Sequence, residues 1–166
     1  MKTRLFIGLA LGAFLATTMG SGPPAPGVGG GGPAEKATGE VWFENSGLMA
    51  YADFNAHEAY MDRPAKGEFY YQDDDGEGTV RYYTMMVDCV EVEGNEATFS
   101  GEIVDTNVED WMGSGVQIWV TDGGTPGWNG DLITGQFFEY PDCLPYDESP
   151  MMIEIDEGNL KVHTYD

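Results

Sequence analysis

Apolar and polar residues alternate with a period of two in several segments of the chain, a pattern typical of half-buried β-strands. Residues 90–93 (VEVE) alternate before a Gly-Asn pair, and residues 96–103 alternate after it. Two residues of this type between alternating runs predict a tight hairpin. The register that follows places Val90 opposite Phe99, so that apolar side chains share one face of the hairpin.

Further segments also have the composition of strands. They are residues 40–44, 48–55, 67–72, 79–87, 116–121, 133–140, 151–155 and 160–164. The last two are separated by four turn-forming residues and are predicted to form a second hairpin. Apolar residues at the helical spacing of three and four are missing, so a crossover helix for a parallel sheet is not expected. The pattern predicts an all-β domain, a single antiparallel β-barrel or β-sandwich of about nine strands.

The N-terminus has the plan of a signal peptide over residues 1–20. Lys2 and Arg4 precede an apolar run, residues 5–16, which is shorter than the roughly 20 residues needed to span a bilayer. A retained membrane anchor is the alternative. Residues 21–38 are rich in Gly and Pro and are predicted to be a flexible tether, and residues 39–166 are predicted to be the β-domain. We therefore expect a secreted protein, extracellular or periplasmic, without a transmembrane span after signal removal.

Composition narrows the range of partners. The chain of 166 residues contains 29 Asp and Glu against 7 Lys and Arg, which gives a formal net charge of −22. Nucleic-acid binding needs a basic face, so a nucleic-acid partner is not expected. Hydrophobic residues make up 42% and aromatic residues 13%, too many for a disordered acidic chain. The acidity indicates either a salt-adapted surface or a few acids that bind cations.

Two cysteines, Cys89 and Cys143, are the only ones in the chain. An even number in an exported chain favours one disulfide. The bridge would close a loop of 54 residues. A loop of that size is worth roughly 4 kcal/mol in the chain-entropy model. A metal-bound pair is the alternative, but His57 and His163 do not lie at a zinc-like spacing from them.

Three separated motifs resemble a small β-rich module of exported bacterial proteins. The module has the pattern V-x-V-x-G-N-x-A-x-F-x-G, then D-x-G-x-P-G, and ends in G-N-I-x-V-H; residues 90–101, 122–127 and 158–163 match these motifs in order, with Leu160 in place of Ile. The resemblance covers roughly residues 48–163. It implies secretion and an all-β domain, and it supplies no catalytic residues, since the module has no assigned activity.

Two acidic segments are candidate calcium sites. Asp122, Asn129 and Asp131 lie in a Gly-rich loop and could offer oxygen ligands to Ca²⁺, which takes six to eight of them. The alternative is that Asp, Asn and Gly are simply the residues that form tight turns. Residues 73–78 (DDDGEG) also carry carboxylates, but their spacing does not match a calcium loop, so they are predicted to form a solvated hairpin tip.

Aromatic residues suggest a binding surface. Trp111, Trp119 and Trp128 are candidates for stacking on a sugar or another apolar ligand. Trp119 alternates with the apolar residues of its strand and therefore faces away from them. If that opposite face is covered, Trp119 is part of the packing instead.

Catalytic motifs are not evident. His57 and His163 are the only histidines, and none of the serines has a nucleophile-elbow sequence. The sequence therefore predicts a secreted, non-catalytic extracellular binding or structural module, with an extracellular polymer or a surface protein as partner. The alternatives are a barrel-type carrier of a small apolar ligand and an aromatic-platform glycan binder. An aromatic-lined internal cavity would favour the carrier, and a filled interior would favour the structural module.

Overall fold

The structure, a computed structural model, describes residues 34–124, 129–138, 143 and 151–165. Its strands are β1 (Lys36–Asn45), β2 (Leu48–His57), β3 (Lys66–Asp74), β4 (Val80–Glu93), β5 (Glu96–Thr106), β6 (Gly115–Thr121), β7 (Leu132–Phe138) and β8 (Ile153–His163). Each strand pairs antiparallel with the next, and β8 pairs antiparallel with β1, so the sheet closes into a barrel. The prediction of an all-β antiparallel domain is confirmed, and the architecture is a barrel.

Strand β1 begins earlier than the predicted end of the tether. Lys36 pairs with His57 on β2 and with His163 on β8, and Ala37 is fully buried. The first three residues of β1 thus lie within the segment 21–38, because Ala37 continues the inward alternation of the strand. Residues 1–33 lie outside the described residues, so the signal peptide and most of the tether stay predictions.

The first predicted hairpin is confirmed in its register. Glu93 pairs with Glu96, and Val90 pairs with Phe99, on either side of the Gly94-Asn95 turn. Strand β4 is longer than expected, with 14 residues, because register shifts at two points let the chain continue past Val87. The segments 79–87 and 90–93 are therefore one bent strand, which lowers the strand count.

The predicted second hairpin, between residues 151–155 and 160–164, is wrong. The structure has one strand, β8, that runs through the predicted turn. Gly158 has φ of +123° and lies against the carbonyl of Glu40, and β1 shows a register shift close by. Glycine accepts this conformation without strain, so the turn-forming residues make a kink inside a strand.

Closure of the barrel depends on close approach of neighbouring backbones at glycine. A Cβ atom on Gly101 of β5 would overlap with the carbonyl oxygen of Met86 on β4. A Cβ atom on Gly67 of β3 would likewise overlap with the carbonyl oxygen of Asn55 on β2. Glycine kinks and bulges of this kind bend strands enough to close a small barrel.

Side chains fill one half of the barrel interior. Phe54, Phe69 and Phe99 pack with ring centroids 5.3 to 5.9 Å apart. All three are almost completely buried. We call this half, which holds the Gly94-Asn95 turn, the closed end; the opposite half, which holds the β1–β2 and β3–β4 turns, is the open end.

Among the described residues, strands β7 and β8 share the shortest ladder of the barrel. Two residue pairs of the described ranges join them, Leu132 with Glu154 and Ile133 with Ile153. The neighbouring seam between β6 and β7 has seven pairs. Along the part of the chain that the structure describes, residues 134–138 of β7 therefore have no partner on β8.

A disulfide joins Cys89 on β4 to Cys143, with 5.7 Å between the Cα atoms. Cys143 lies in the connection between β7 and β8, and its sulfur is 3.8 Å from the hydroxyl of Ser100 on β5. The predicted pairing of the two cysteines is confirmed. In the described ranges, no helix is long and apolar enough to cross a lipid bilayer.

Candidate functional site

The open end of the barrel contains a cavity of about 730 Å³. This volume lies within the range of roughly 300 to 1,000 Å³ that is usual for small-molecule sites. Closed barrels of eight strands either fill their interior with side chains or hold one small ligand. The present barrel does both, because its closed end is filled and its open end is a cup.

Aromatic side chains form much of the cup wall. Tyr83 of β4 lines the cavity, and its ring lies 5.9 Å from that of Phe69 in the closed end. A short 3₁₀ helix between β5 and β6, Glu109–Trp111, places Trp111 at the rim. Trp111 packs 5.9 Å from Tyr83 at 86° and 5.5 Å from Phe137 of β7. These rings offer faces and edges at several orientations to a flat apolar molecule.

Phe137 is the most exposed member of this group, with 47% of its surface accessible. It lies on the part of β7 that has no described partner on β8. Met151 and Met152, which precede β8, line the cavity on the other side of this seam. Methionine side chains adapt to irregular apolar shapes, so this side of the cup can accommodate different ligand outlines.

A chain of polar side chains crosses the cup wall. Asn45 donates to the hydroxyl of Tyr71 at 3.1 Å, and Tyr71 donates to Asp73 Oδ2 at 3.0 Å. Arg81 meets the same carboxylate with two N–H groups, Nε to Oδ1 at 2.8 Å and Nη2 to Oδ2 at 2.6 Å. The guanidinium carbon of Arg81 also lies 5.6 Å from the centre of the Trp111 ring.

This network follows from strand pairing. Asp73 and Arg81 are directly opposite on β3 and β4, and both lie on the inward face near the open end. Asp73 is 7% exposed, whereas the side chain of Arg81 is 33% exposed and reaches towards the rim. Such a bidentate pair is the geometry that arginine and carboxylate prefer.

The phenols of the cup stay protonated at physiological pH. Burial raises the pKa of Tyr71 to about 12, and the charge of Asp73 acts in the same direction, against the opposing contribution from Asn45. Burial also raises the pKa of Tyr83 well above its ordinary value. Both hydroxyls are therefore uncharged and can act as hydrogen-bond donors.

The predicted stacking residues have different positions. Trp111 lies at the rim of the cup, as described above. Trp119 also lines the cavity region but is only 8% exposed, so most of its surface is packed. Trp128 lies outside the described residues. The prediction that these residues stack on a ligand stays a prediction, and Trp111 is the one whose surroundings favour it.

Sequence reasoning missed Asp73 and Arg81. The acidic run that begins at Asp73 was expected to be a solvated tip, and its next two members do behave in that way. Asp74 Oδ1 accepts N–H groups of the turn at 2.7 and 3.1 Å, and Asp75 does the same. The signal for Asp73 is the period of two, because it follows Phe69 and Tyr71 on the inward face.

The predicted calcium ligands lie at the closed end, away from the cup. Asp122 Oδ1 accepts the N–H of Gly124 at 2.7 Å, and its Oδ2 accepts the N–H of Val162 at 3.1 Å and lies 3.0 Å from Lys161 Nζ. Burial opposes ionisation of Asp122, but these partners lower its pKa overall. Asp122 therefore ties the loop after β6 to the end of β8.

Asp131 is close to this network and fully buried. Its Oδ1 accepts the N–H of Gly123 at 2.8 Å, whereas its Oδ2 has no hydrogen-bond partner among the described atoms. Asn129 lies in the same loop and is exposed. In the described ranges, no group of three or more acidic, histidine or cysteine side chains is arranged to hold a metal ion. Calcium binding at Asp122, Asn129 and Asp131 stays a prediction.

We expect Asp131→Asn to stabilise the protein at pH 7. Burial, together with the charge of Asp122, raises the pKa of Asp131 in the folded state. The folded protein thus binds this proton more tightly than the unfolded chain, so the contribution of Asp131 to stability is favourable at acidic pH and is lost as the pH rises through the folded pKa. Asparagine removes the charge, and urea unfolding at pH 7 should show a gain on the order of 1 kcal/mol.

The gain should shrink as the pH falls from 7 into the acidic range, because Asp131 itself becomes protonated in the folded state at a higher pH than an ordinary aspartate. Asp122→Asn is the matched control, with the opposite sign, because partners of Asp122 stabilise its charged form and lower its pKa. That variant should be less stable than the parent at pH 7. A loss of stability in both variants would contradict the role given to Asp131.

His57 and His163 lie outside the cup. Both pair with Lys36 in neighbouring strands on the outer wall of the barrel. Burial lowers the pKa of each histidine, and the charge of Lys36 lowers it further. The structure therefore brings the two histidines to either side of a lysine and does not bring them to the cavity.

Comparison of the chain with family models, with curated proteins and with solved structures gives no match.

Proposed function

We propose that this barrel is a binding protein that carries a small, largely apolar molecule in the cup at its open end. The observation that supports the proposal is the cavity of about 730 Å³ at the open end, with six aromatic residues in its lining. The sequence left a structural module and a carrier open as alternatives. A purely structural barrel would gain stability by filling this volume with side chains, since packed interiors leave few voids larger than a water molecule.

The depth of the cup supports the same proposal. Val116 and Ile118 of β6 and Ile133 of β7 line the cavity and are almost fully buried. A ligand that enters at the rim would therefore be enclosed on several sides and lose most of its contact with water. Burial of apolar surface contributes about 25 cal/mol per Å², which is the main source of affinity for such a ligand.

Export is part of the proposal and depends on the sequence of residues 1–20. The disulfide supports it, because disulfides persist mainly in oxidising compartments outside the cytosol. We therefore propose that the protein binds its ligand outside the cytoplasm, where its acidic surface keeps it hydrated. The proposal requires no catalytic step.

The uncharged fluorophore N-phenyl-1-naphthylamine provides the test. We expect its fluorescence to rise on addition of the purified protein, with saturation at one site per chain, because the probe moves from water into an apolar cup. Trp111→Ala and Phe137→Ala should each weaken binding by about tenfold, the effect of removing one large aromatic contact.

Trp42→Ala is the matched control. Trp42 lies on the outer wall, where it packs against Tyr51 with 4.8 Å between ring centroids. Trp42→Ala removes an aromatic side chain as large as that of Trp111 but leaves the cup unchanged. The affinity for the probe should therefore equal that of the parent. Absence of probe binding, or equal weakening by all three variants, would favour the structural module.

A further inference from the structure

The cup contains an ion pair between Asp73 and Arg81. Asp73 and Arg81 lie in a wall that is otherwise mainly aromatic and aliphatic. Removal of charges from water is costly, and replacement of a buried pair by apolar residues of similar volume is often neutral or stabilising. The pair lines the cavity, so its remaining hydrogen-bonding groups can contact a ligand there.

Those unused groups are donors. Arginine has five N–H groups, and only two of them are directed to Asp73. The oxygens of Asp73 are already used, one by Arg81 alone and the other by both Arg81 and Tyr71. A ligand that meets this part of the wall therefore encounters N–H groups, together with the protonated hydroxyl of Tyr83 deeper in the cup.

The charged side chains named at the site are one cation and two acids. Asp73 neutralises Arg81, and Glu44 also lines the cavity. A ligand carboxylate would be repelled by both acids and by the net charge of −22 on the chain. A ligand cation would instead meet the guanidinium of Arg81 above the Trp111 ring. An uncharged acceptor avoids both penalties.

The position of Arg81 limits the ligand further. The guanidinium is held from one side by Asp73 and lies over the Trp111 ring. An acceptor bound to Arg81 thus has its attached carbon skeleton beside Trp111 and Tyr83. Trp111 and Tyr83 are in edge-to-face contact with each other, with ring centroids 5.9 Å apart at 86°. A flat aromatic skeleton can pack against the cavity side of this pair, where it contacts an edge and a face.

We propose that Arg81 selects an uncharged, flat ligand that carries a carbonyl-type hydrogen-bond acceptor, with Asp73 as a positioning residue that orients the guanidinium. The inference rests on the proposed function, since it concerns the same cup. It names the ligand class, an aromatic ketone or aldehyde in contrast to a hydrocarbon or a carboxylate. Binding involves hydrogen bonds and packing without a covalent step.

Three naphthalenes of similar shape test this inference by displacement of N-phenyl-1-naphthylamine. They are 2-acetylnaphthalene, with a carbonyl; 2-ethylnaphthalene, without an acceptor; and 2-naphthoate, with a negative charge. We expect the acetyl compound to bind about tenfold more tightly than the ethyl compound, because its carbonyl accepts a hydrogen bond from the charged guanidinium of Arg81. The naphthoate should bind more weakly than the acetyl compound.

The double variant Arg81→Met with Asp73→Asn provides the second measurement. It removes both charges together, so neither is left buried without its partner, and asparagine keeps an oxygen for the hydroxyl of Tyr71. The preference for the acetyl compound should fall to about one, with affinity for the ethyl compound retained. Thr134→Val, which replaces another polar residue of the cavity wall, should keep the preference of the parent.

The outcomes separate the two proposals. Equal affinity of the parent for the acetyl and ethyl compounds would overturn the inference and leave the carrier proposal intact. Tightest binding of the naphthoate would overturn the choice of an uncharged ligand. Failure of all three compounds to displace the probe would overturn the inference, and failure of the probe itself to bind would overturn the carrier proposal. If the double variant does not fold, the ranking in the parent still decides.

Discussion

Gly101→Ala is expected to destabilise the barrel by about 3 kcal/mol or more, or to prevent folding. The added Cβ atom would overlap with the carbonyl oxygen of Met86, and its carbon would be only 2.7 Å away. Both belong to the backbone of β4, so no side-chain rotation can relieve the overlap. The two strands would have to separate where β4 shifts its register, between Val87 and Cys89. Urea unfolding followed by tryptophan fluorescence measures the loss.

Gly135→Ala is the matched control for this prediction. Gly135 also lies within a strand and lines the cup, but its added Cβ atom would approach Cδ1 of Ile118 at 2.7 Å. That atom is the far end of a flexible side chain and can move. We expect a change within about 1 kcal/mol for Gly135→Ala. Equal midpoints for the two variants would show that close backbone approach at Gly101 does not control closure.

The sequence predicts the features that depend on local pattern and misses those that depend on the closed sheet. The hairpin around Gly94-Asn95 was predicted in its exact pairing, because a two-residue turn leaves one register and the alternation is strict on both sides. The bends at Gly101 and Gly158 depend on which backbone lies opposite, and that is a property of the closed sheet. Long strands that bend at such points were therefore divided into shorter ones.

The sequence also leaves a barrel and a sandwich open, because the closed sheet is again what distinguishes them. Alternation specifies which residues face inward, and it does so equally well for both architectures. Closure is decided by pairing of β1 with β8, which are far apart in the sequence. No local pattern encodes this contact, and the two open alternatives of the sequence analysis reflect that limit.

The cup was predictable only in part. Trp111 was identified as a candidate from its residue type, although the 3₁₀ helix that places it at the rim has no sequence pattern of its own. Asp73 and Arg81 were concealed by composition, since an acidic run suggests a solvated turn. The alternation of Arg81 with Tyr83 and Met85 places all three on one face, and it is this periodicity, rather than charge, that predicts an inward position.

Removal of the disulfide by Cys89→Ala with Cys143→Ala is expected to lower the stability of the protein by about 4 kcal/mol. The bridge spans 54 residues of sequence, so its loss frees a long loop in the unfolded chain. For a domain of this size the midpoint of thermal unfolding should fall by roughly 15 °C. The parent protein treated with a reductant should show the same midpoint as the double variant, because both lack the cross-link.

Removal of the disulfide should lower the free energy of unfolding more than removal of a single side-chain contact beside it. Ser100→Ala removes the polar contact of Ser100 with Cys143 at 3.8 Å and keeps the cross-link. We expect it to cost no more than about 1 kcal/mol. If Ser100→Ala and the double variant lose similar stability, local packing rather than the constraint on the unfolded chain would account for the contribution of the bridge. A small loss in the reduced parent would lead to the same conclusion, because reduction leaves the cysteine side chains in place and removes only the covalent link between β4 and the connection that precedes β8.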